Sequence, residues 1–391
     1  MNQPSTEEFA SPVASHRVTH PASSPPRYPT LLVSQPGNLY ALILAGGSGT
    51  RFWPLSRNAR PKQLLSLFDD ETLIEKAINR LDGLVPPERI LVLTNEIQFD
   101  AVRAVLPQLP AENIVAEPAR LDTAPAIALA AGWIAARNPE ATMLALPADQ
   151  LVIKEAAFRE VLAAAVWAAG KEEAIVTLGI KADWACPSYG YIERGDLIAE
   201  APGSGAAVHE VTTFREKPSV ETAQRYLESG RFSWNAGIFV WTIPTLMREL
   251  SQHCPELADF VSELRDAPDF AAIVSERFPC LNKISIDFAL MEKAARILNI
   301  EAEVGWDDVG GWPSVAKYLE HDKAGNASRC SLLAVDSRNN IIFSPPGSPL
   351  ITLLGVENLI VVQTADALLV ANRDNADQIK KLVDLLPDEL M

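Results

Sequence analysis

From Leu39 to Lys181 the chain alternates short, continuously apolar runs with helical stretches, and no other feature of its 391 residues restricts the fold as much. "LYALIL", "RILVLTN", "ATMLALP" and "AIVTLGI" each have the length and apolar continuity of a strand buried on both faces. Between them, "TLIEKAINRL" sets Leu73, Ile74, Ala77, Ile78 and Leu81 on one helical stripe behind Thr72 as a cap. "DTAPAIALAAGWIAA" reads as an apolar helix opened by Asp122 or Thr123, and "EAAFREVLAAAVWAA" as a further helix. Strands joined through helices call for right-handed crossovers and a mainly parallel sheet, with the functional site beyond the strands' carboxyl ends. The glycine turn after Leu44 and Asp149 after "LALPA" both fall on that edge.

A chain this long is expected to fold as two domains, and 48% hydrophobic with 21% charged residues suits a soluble globular protein. The formal net charge of −16 argues against a general binder of nucleic acid or of membrane surfaces, partners that reward a basic field. Cys186, Cys254, Cys280 and Cys330 show no C-x-x-C spacing and are expected to be reduced thiols; His209, His253 and His321 read as surface or core residues, not ligands. The first 38 residues carry seven prolines and six serines with no signal-peptide core, so a disordered leader is expected over 1–38. No run of apolar residues is long enough to span a membrane, and a cytoplasmic location is expected.

Against this acidic background, Arg51, Arg57, Arg60 and Lys62 crowd behind one glycine turn, "ALILAGGSGTRFWPLSRNARPKQ". A dinucleotide fingerprint starting at Gly47 would need glycine where Phe52 stands, and a Walker A loop needs a Gly-Lys-Ser/Thr triplet that is absent. What remains is a turn whose backbone N–H groups can approach an anion, followed by fixed charges able to neutralise a polyphosphate.

"LAGGSGTRFWPLSRNARPKQ" resembles the signature of the sugar-nucleotide pyrophosphorylases, G-G-x-G-T-R-L-x-P-L followed by P-K. Its W-P-L-S-R-x-x-x-P-K-Q form is similar to that of the mannose-1-phosphate guanylyltransferase family. The resemblance implies a nucleotide held by Ala45, Gly46, Gly47, Gly49, Thr50 and Arg51, with Lys62 reaching its phosphates; Arg51 and Lys62 are the expected catalytic cations. It implies a base pocket at "EPARLDTAPAIALA", where Glu117 accepts from guanine N1 and N2, and where Asp122 replaces the family's usual Asn. Asp149 and Asp308, the latter in "EVGWDDVGGW", are the implied ligands of one Mg²⁺ ion, Asp149 also touching the nucleotide. Asp307 is expected to turn away, to solvent or behind the ion, and Gln150 stands where the family commonly has His. The implied sugar-phosphate side comprises Gly190 in "PSYGYIE", Glu216 and Lys217 in "TFREKPS", Asn235 and Gly237 in "FSWNAGIF", and Asp287 in "NKISIDFALMEK". Ser188 and Pro187 depart from the family pattern, and Ser285 and Glu292 are candidates for buttressing only.

The implied fold is a Rossmann-like, GT-A-like nucleotidyltransferase of the α/β class with a mixed, mainly parallel sheet over residues 39–325. A small left-handed β-helix-like domain follows over 326–391, where short β-rich runs recur and Ile379, Leu382, Val383 and Leu386 share a closing helix face. The implied reaction transfers GMP from GTP to mannose 1-phosphate by in-line attack. The expected partners are these two small molecules, Mg²⁺ and a second copy of the chain in a homodimer. The chain lacks the cupin isomerase domain of longer relatives, so no phosphomannose isomerase activity is expected. Two other readings stay open: glucose 1-phosphate with UTP or dTTP as substrates, or a regulatory subunit that binds nucleotide sugar without turnover.

Overall fold

The leading strand, β1 (Leu39–Leu44), has no charged residue to solvate and lies at the heart of a nine-stranded sheet. The computed structural model describes residues 38–47 and 49–391, so the expected leader lies outside the described residues except for Asn38. In chain order the strands are β2 (Ile90–Asn95), β3 (Ile114–Glu117), β4 (Thr142–Pro147), a short β5 (Leu151–Val152) outside the main sheet, β6 (Ile175–Lys181), β7 (Tyr191–Glu200), β8 (Ala207–Arg215), β9 (Phe232–Thr242) and β10 (Ile297–Glu301). The sheet order is β3-β2-β1-β4-β9-β6-β10-β8-β7. β3, β2, β1 and β4 are mutually parallel, as are β6 and β10, and only β8 and β9 run against the common direction. The sheet is therefore mixed and mainly parallel, as expected. β9 exchanges neighbours along its length, pairing with β4 and β6 near Val240 and with β6 and β7 near Trp234. Asn235–Gly237 sits at that exchange.

The helices cover both faces. α1 (Leu73–Asn79) opens on a capping box in which Thr72 and Glu75 satisfy one another's backbone amides. α2 (Phe99–Val105) follows β2. α3 (Thr123–Ala135) is apolar all round because it lies between the sheet and the helix Pro255–Asp266; a Cβ on Gly132 would stand 2.5 Å from Leu264. α4 (Glu155–Glu172) packs on the opposite face. Short β11 (Trp306–Asp307) pairs antiparallel with β5, which brings a segment from far downstream to the loop after β4.

The remainder is a small solenoid. β13 (Ala327–Arg329), β15 (Ile341–Phe343) and β17 (Leu359–Gln363) stack in parallel, as do β14 (Leu332–Val335) and β16 (Ile351–Leu354); β12 (Glu320–His321) and β18 (Leu368–Asn372) close the edge antiparallel. Inside the coil the fully buried Asn326 and Asn340 form a ladder, Asn340 Nδ2 donating to Asn326 Oδ1 at 2.8 Å and its Oδ1 accepting from Leu359 N at 2.9 Å. The closing helix, Ile379–Val383, is shorter than expected because a 3₁₀ stretch, Arg373–Gln378, precedes it. Ile379 and Val383 are buried, but Leu382 is exposed, since the single helical turn leaves room for one buried edge only.

This solenoid docks on the segment that follows the glycine turn. Phe52 meets Trp312 edge-on at 5.4 Å, and Trp312 meets Phe343 at 5.2 Å, within one core of Leu65, Ile341 and Ile360. Trp53 Nε1 donates to Leu390 O at 3.0 Å, and Arg57 makes a two-pronged pair with Asp366 at 3.0 and 3.1 Å. Of the four cations behind the glycine turn, Arg57 is committed to the solenoid, and Arg60 is exposed and pairs by backbone with Arg57.

Candidate active site

The carboxyl ends of β1, β3 and β4 deliver Gly46, Glu117 and Asp149 to one cleft of about 480 Å³, a volume suited to a small-molecule ligand. Gly47, Asp308, Gly190, Glu216, Lys217, Asn235, Gly237 and Asp287 line the same cleft. The proposition that Asp149 and Asp308 converge is met: Lys62, buried at 6% exposure, pairs with Asp149 Oδ2 at 2.9 Å and donates to the carbonyl oxygen of Asp308. Asp308 is half-buried, and its carboxyl is pushed up to about 6, chiefly by burial and further by the charge of Asp149, against the pull of Lys62 and Arg51.

Local backbone aims these groups. Gly49 takes φ +60, and a Cβ there would lie 2.5 Å from the Lys62 backbone nitrogen, so the glycine turn and the lysine segment touch without side chains between them. Val309 adopts φ 51, costly for a β-branched residue, and is held there by its N–H donating to Asp307 Oδ1 at 2.7 Å. Asp307 is therefore not solvent-facing: it is 8% exposed and accepts from Val309, Ser314, Tyr318 and Lys317. Burial alone would raise its carboxyl, yet these donors hold it below the usual range, so it is a fixed anchor beneath Asp308.

Asp122 sits at φ 73, ψ −172, a region normally left to glycine, and its Oδ1 accepts from Thr123 N at 2.8 Å. The cap needs only an acceptor, which Asp supplies as well as Asn would. Thr123 Oγ1 in turn accepts from Ile286 N at 2.8 Å, tying the start of α3 to the Asp287 segment. That segment, Asp287–Met291, is a π-helical turn. Burial first, and then the nearby Glu216 charge, push the Asp287 carboxyl up to about 7. Burial alone pushes Glu117 to about 7. Lys217, at φ 45, pairs with Glu216 at 2.8 Å, and this bond raises its ammonium pKa.

Several expected contacts are revised. Ala45 does not reach the cleft: it is 1% exposed, its N–H donates to Leu93, and its carbonyl accepts from Gln63 and Thr94. Gly49, Thr50, Arg51 and Lys62 do not line the cleft either; Lys62 is buried and reaches it through Asp149, and Arg51 opens into an adjoining cavity. The Gly237 N–H is already taken by Asn235 Oδ1 at 3.0 Å, so it is not available to a sugar hydroxyl. Asn235 also donates to Asp287 Oδ1 at 3.3 Å. Glu292 buttresses, as its Oε1 accepts from Glu216 N at 3.2 Å, and Ser285 Oγ faces Phe288 N at 3.5 Å.

Sequence reasoning missed Gln63 and Tyr189 and left the role of Gln150 unread. Gln63, buried, donates to the carbonyls of Ala45 and Gly47 and to Gln98, and so fixes the glycine turn; it was visible only as the last letter of P-K-Q. Tyr189 stands between the cleft and the adjoining cavity, edge-on to Trp234 at 5.2 Å and to Trp306 at 5.7 Å. Gln150 is a strut in place of a ligand contact: Nε2 donates to Ala236 O at 2.7 Å and Oε1 accepts from Trp306 Nε1 at 2.9 Å. Replacing Gln150 by Ala should strand both partners and lower unfolding stability by about 2 to 4 kcal/mol, read as the denaturant midpoint.

Asp149 and Asp308 could offer two carboxylates to a metal ion at the cleft; no group of three or more His, Cys, Asp or Glu placed to hold one occurs among the described residues. The donor set fits Mg²⁺, which takes hard oxygens from one or two carboxylates and completes its shell with water and phosphate. The Asp149–Asp308 repulsion is also of the kind a divalent ion relieves.

Residues 40–325 match the nucleotidyl transferase family, and residues 331–386 match the MannoseP isomerase/GMP-like beta-helix domain. The chain is 38% identical over 356 residues to a mannose-1-phosphate guanylyltransferase of Escherichia coli K12, covering 88% of this chain and 73% of that protein. It is also 38% identical over 362 residues to the mannose-1-phosphate guanylyltransferase ManC of Salmonella typhimurium, covering 90% and 74%. A crystal structure from Thermus thermophilus, described as a mannose-1-phosphate geranyltransferase, superposes with a TM-score of 0.80 at 32% identity, over 89% of this chain and 98% of that one. By family match, fold and relatives alike, the chain belongs to the nucleotidyl transferase family, in its branch that carries the GMP-like β-helix domain.

Proposed function

We propose that this chain is a mannose-1-phosphate guanylyltransferase, transferring GMP from GTP to α-D-mannose 1-phosphate with release of pyrophosphate. The observation that carries the reading is that Asp149 and Asp308 line one cleft and are tied together by the buried Lys62, with Glu117 and Lys217 on the cleft's walls. The names of the relatives supply the sugar.

In this reading Gly46 and Gly47 admit the nucleotide against the backbone, a Cβ on Gly46 coming within 3.8 Å of Glu117 Oε2, so that the base lies beside that carboxylate. Glu117 accepts from guanine N1 and N2, two donors in one plane that adenine does not offer. Lys217 draws the sugar phosphate in, while Glu216 and Asp287 accept from hexose hydroxyls. Asp149 and Asp308 would hold Mg²⁺, which supplies charge neutralisation at the phosphates when bound. Lys62 balances the charge that builds on the transferring phosphoryl group, and Arg51 that on the leaving pyrophosphate. The attacking phosphate oxygen is already anionic, so the site needs no general base and no covalent enzyme intermediate; its work is positioning and electrostatics.

The Glu117 carboxyl, raised to about 7, gives the reading a pH signature. Below that pH the group is protonated and loses an acceptor site, so kcat/KM for GTP should fall as pH drops from about 8 to about 6 and level off above. In Glu117→Gln the rate should be low and the part of the fall that belongs to Glu117 should be lost, leaving only the slope set by Asp308 and Asp287, whose carboxyls are raised into the same range.

Pyrophosphate release measured with GTP, UTP, ATP and dTTP against mannose and glucose 1-phosphates tests the reading. Preference for GTP with mannose 1-phosphate is expected; preference for UTP or dTTP with glucose 1-phosphate, or binding with no turnover, would replace it. A homodimer and a cytoplasmic location belong to the same proposal, and static light scattering of the purified chain checks the first. Among the described residues no helix is long and apolar enough to cross a membrane.

A further inference from the structure

Behind the cleft wall stands Gln98, 1% exposed and set between β2 and α2. Its Nε2 donates to Gly47 O at 3.3 Å and to Asn58 O at 3.4 Å, and its Oε1 accepts from Gln63 Nε2 at 3.1 Å and from Thr94 Oγ1 at 3.4 Å. Gln63 makes a second bond to the same Gly47 carbonyl, at 3.3 Å, so two buried amides hold one exposed peptide. Gly47 and Gln63 line the cleft; Gln98 does not. Its anchors are themselves fixed. Thr94 is fully buried in β2, and the Asn58 N–H donates to Met391 O, beyond the closing helix, at 2.8 Å.

Steric contact does not confine the Gly47 peptide. A Cβ there would meet nothing within 4 Å, so the position has glycine's freedom and open space around it. Among the described residues, the N–H groups of Gly46 and Gly47 donate to no backbone carbonyl. They can serve an anion only while the neighbouring carbonyls are drawn the other way, since a carbonyl turned into the cleft would repel a phosphate.

We propose that Gln98 is a positioning residue for the nucleotide: from behind the wall its amide holds the Gly47 carbonyl back and so keeps the N–H groups of the glycine turn toward the phosphates. The inference rests on the nucleotidyl-transfer reading above. Without this amide, Gly47 O keeps only Gln63, and Gln63 loses the acceptor that orients it. The nucleotide then has to order the turn itself, and that ordering is subtracted from the binding free energy. None of the bonds of Gln98 reaches the sugar-phosphate side, so the effect is confined to one substrate.

The test is calorimetric titration of the full chain with the magnesium complexes of GTP, UTP and dTTP, together with steady-state turnover, in wild type and Gln98→Met. Methionine keeps the volume and removes both donor and acceptor. Kd for the nucleotide that the wild type binds should rise about tenfold, the scale of one hydrogen bond, and KM for mannose 1-phosphate should stay within about twofold. Asn113→Leu is the control for a lost buried amide. Asn113 is 3% exposed, and its Nδ2 donates to Pro87 O, Glu88 O and Ile90 O at 3.3, 3.1 and 3.0 Å, none of them at the cleft. Its loss should lower Tm at least as much and leave nucleotide Kd unchanged. Thr94→Val, which removes the hydroxyl donating to Gln98 Oε1, should raise nucleotide Kd about threefold, and it carries the test if Gln98→Met does not fold. Wild-type preference for UTP or dTTP would refute the guanylyl reading and leave this inference to stand on that nucleotide; binding of none of the three would end both. An unchanged nucleotide Kd in Gln98→Met, or in Thr94→Val where that variant carries the test, would overturn the inference, as would an equal rise in Asn113→Leu.

Discussion

Lys62→Ala is expected to lower kcat/KM by about two to three decades, the scale of removing a preorganised charge contact from a transition state. The lysine does two things that no neighbour can take over. Its ammonium pairs with Asp149 and donates to the backbone of Asp308, and in its absence two carboxylates face each other across the cleft. Breaking a buried pair also leaves an uncompensated charge, worth about 3 to 5 kcal/mol in general, so some loss of stability is expected as well. The two effects separate in a double-mutant cycle with Asp149→Asn. If Lys62 and Asp149 act as one unit, the double variant should be scarcely slower than Lys62→Ala alone, and its Tm should recover. Additive losses would mean that the two residues work independently. Steady-state pyrophosphate release together with thermal melts provides both numbers.

Gly49→Ala should cost nearly as much, about a hundredfold in kcat/KM, although the added methyl carries no charge. The position holds φ +60, and the new Cβ would meet the Lys62 N and Cβ at 2.5 Å and its Cα at 2.9 Å. Those are backbone atoms and the root of a side chain, so relief comes only by moving the turn or the lysine, and displacement of a catalytic group by about 1 Å can cost a hundredfold. Gly170→Ala, inside α4 with open space around it, controls for alanine itself and should leave turnover unchanged while raising stability by up to about 1 kcal/mol. Near-normal turnover in Gly49→Ala would show that the turn does not set the position of Lys62.

The sheet was legible because its strands had no solvent face to complicate the pattern. β1, β2, β4 and β6 are buried almost end to end, and the groups at their carboxyl ends could be placed before any coordinates. The partnership of Asp149 and Asp308 was also legible, though only through motif resemblance; its physical cause, the β5–β11 pair that folds the two loops together, involves strands of two residues that no periodicity announces. The roles of Arg57 and Trp53 could not be read from their neighbourhood, because their partners, Asp366 and Leu390, lie 309 and 337 residues downstream. Asp307 was hidden for another reason, since its partners lie only 7 to 11 residues on. Its burial depends on Ser314, Lys317 and Tyr318 curling back over it, and a pair of adjacent aspartates gives no sign of which one turns inward. The roles of Gln150 and Gln63 were not legible because an amide's value lies in satisfying two partners at once, a property of the assembled wall and not of the residue type.

The claim underlying the whole account is that Asp149 and Asp308 jointly hold one divalent ion at the cleft. Its most direct measurement is an electron paramagnetic resonance titration of Mn²⁺, in place of Mg²⁺, into the wild-type chain with GTP and into Asp149→Asn and Asp308→Asn under the same conditions. The account predicts one tightly bound ion per chain in the wild type and loss of that site in either variant. Retention of wild-type Mn²⁺ affinity in both variants would contradict it.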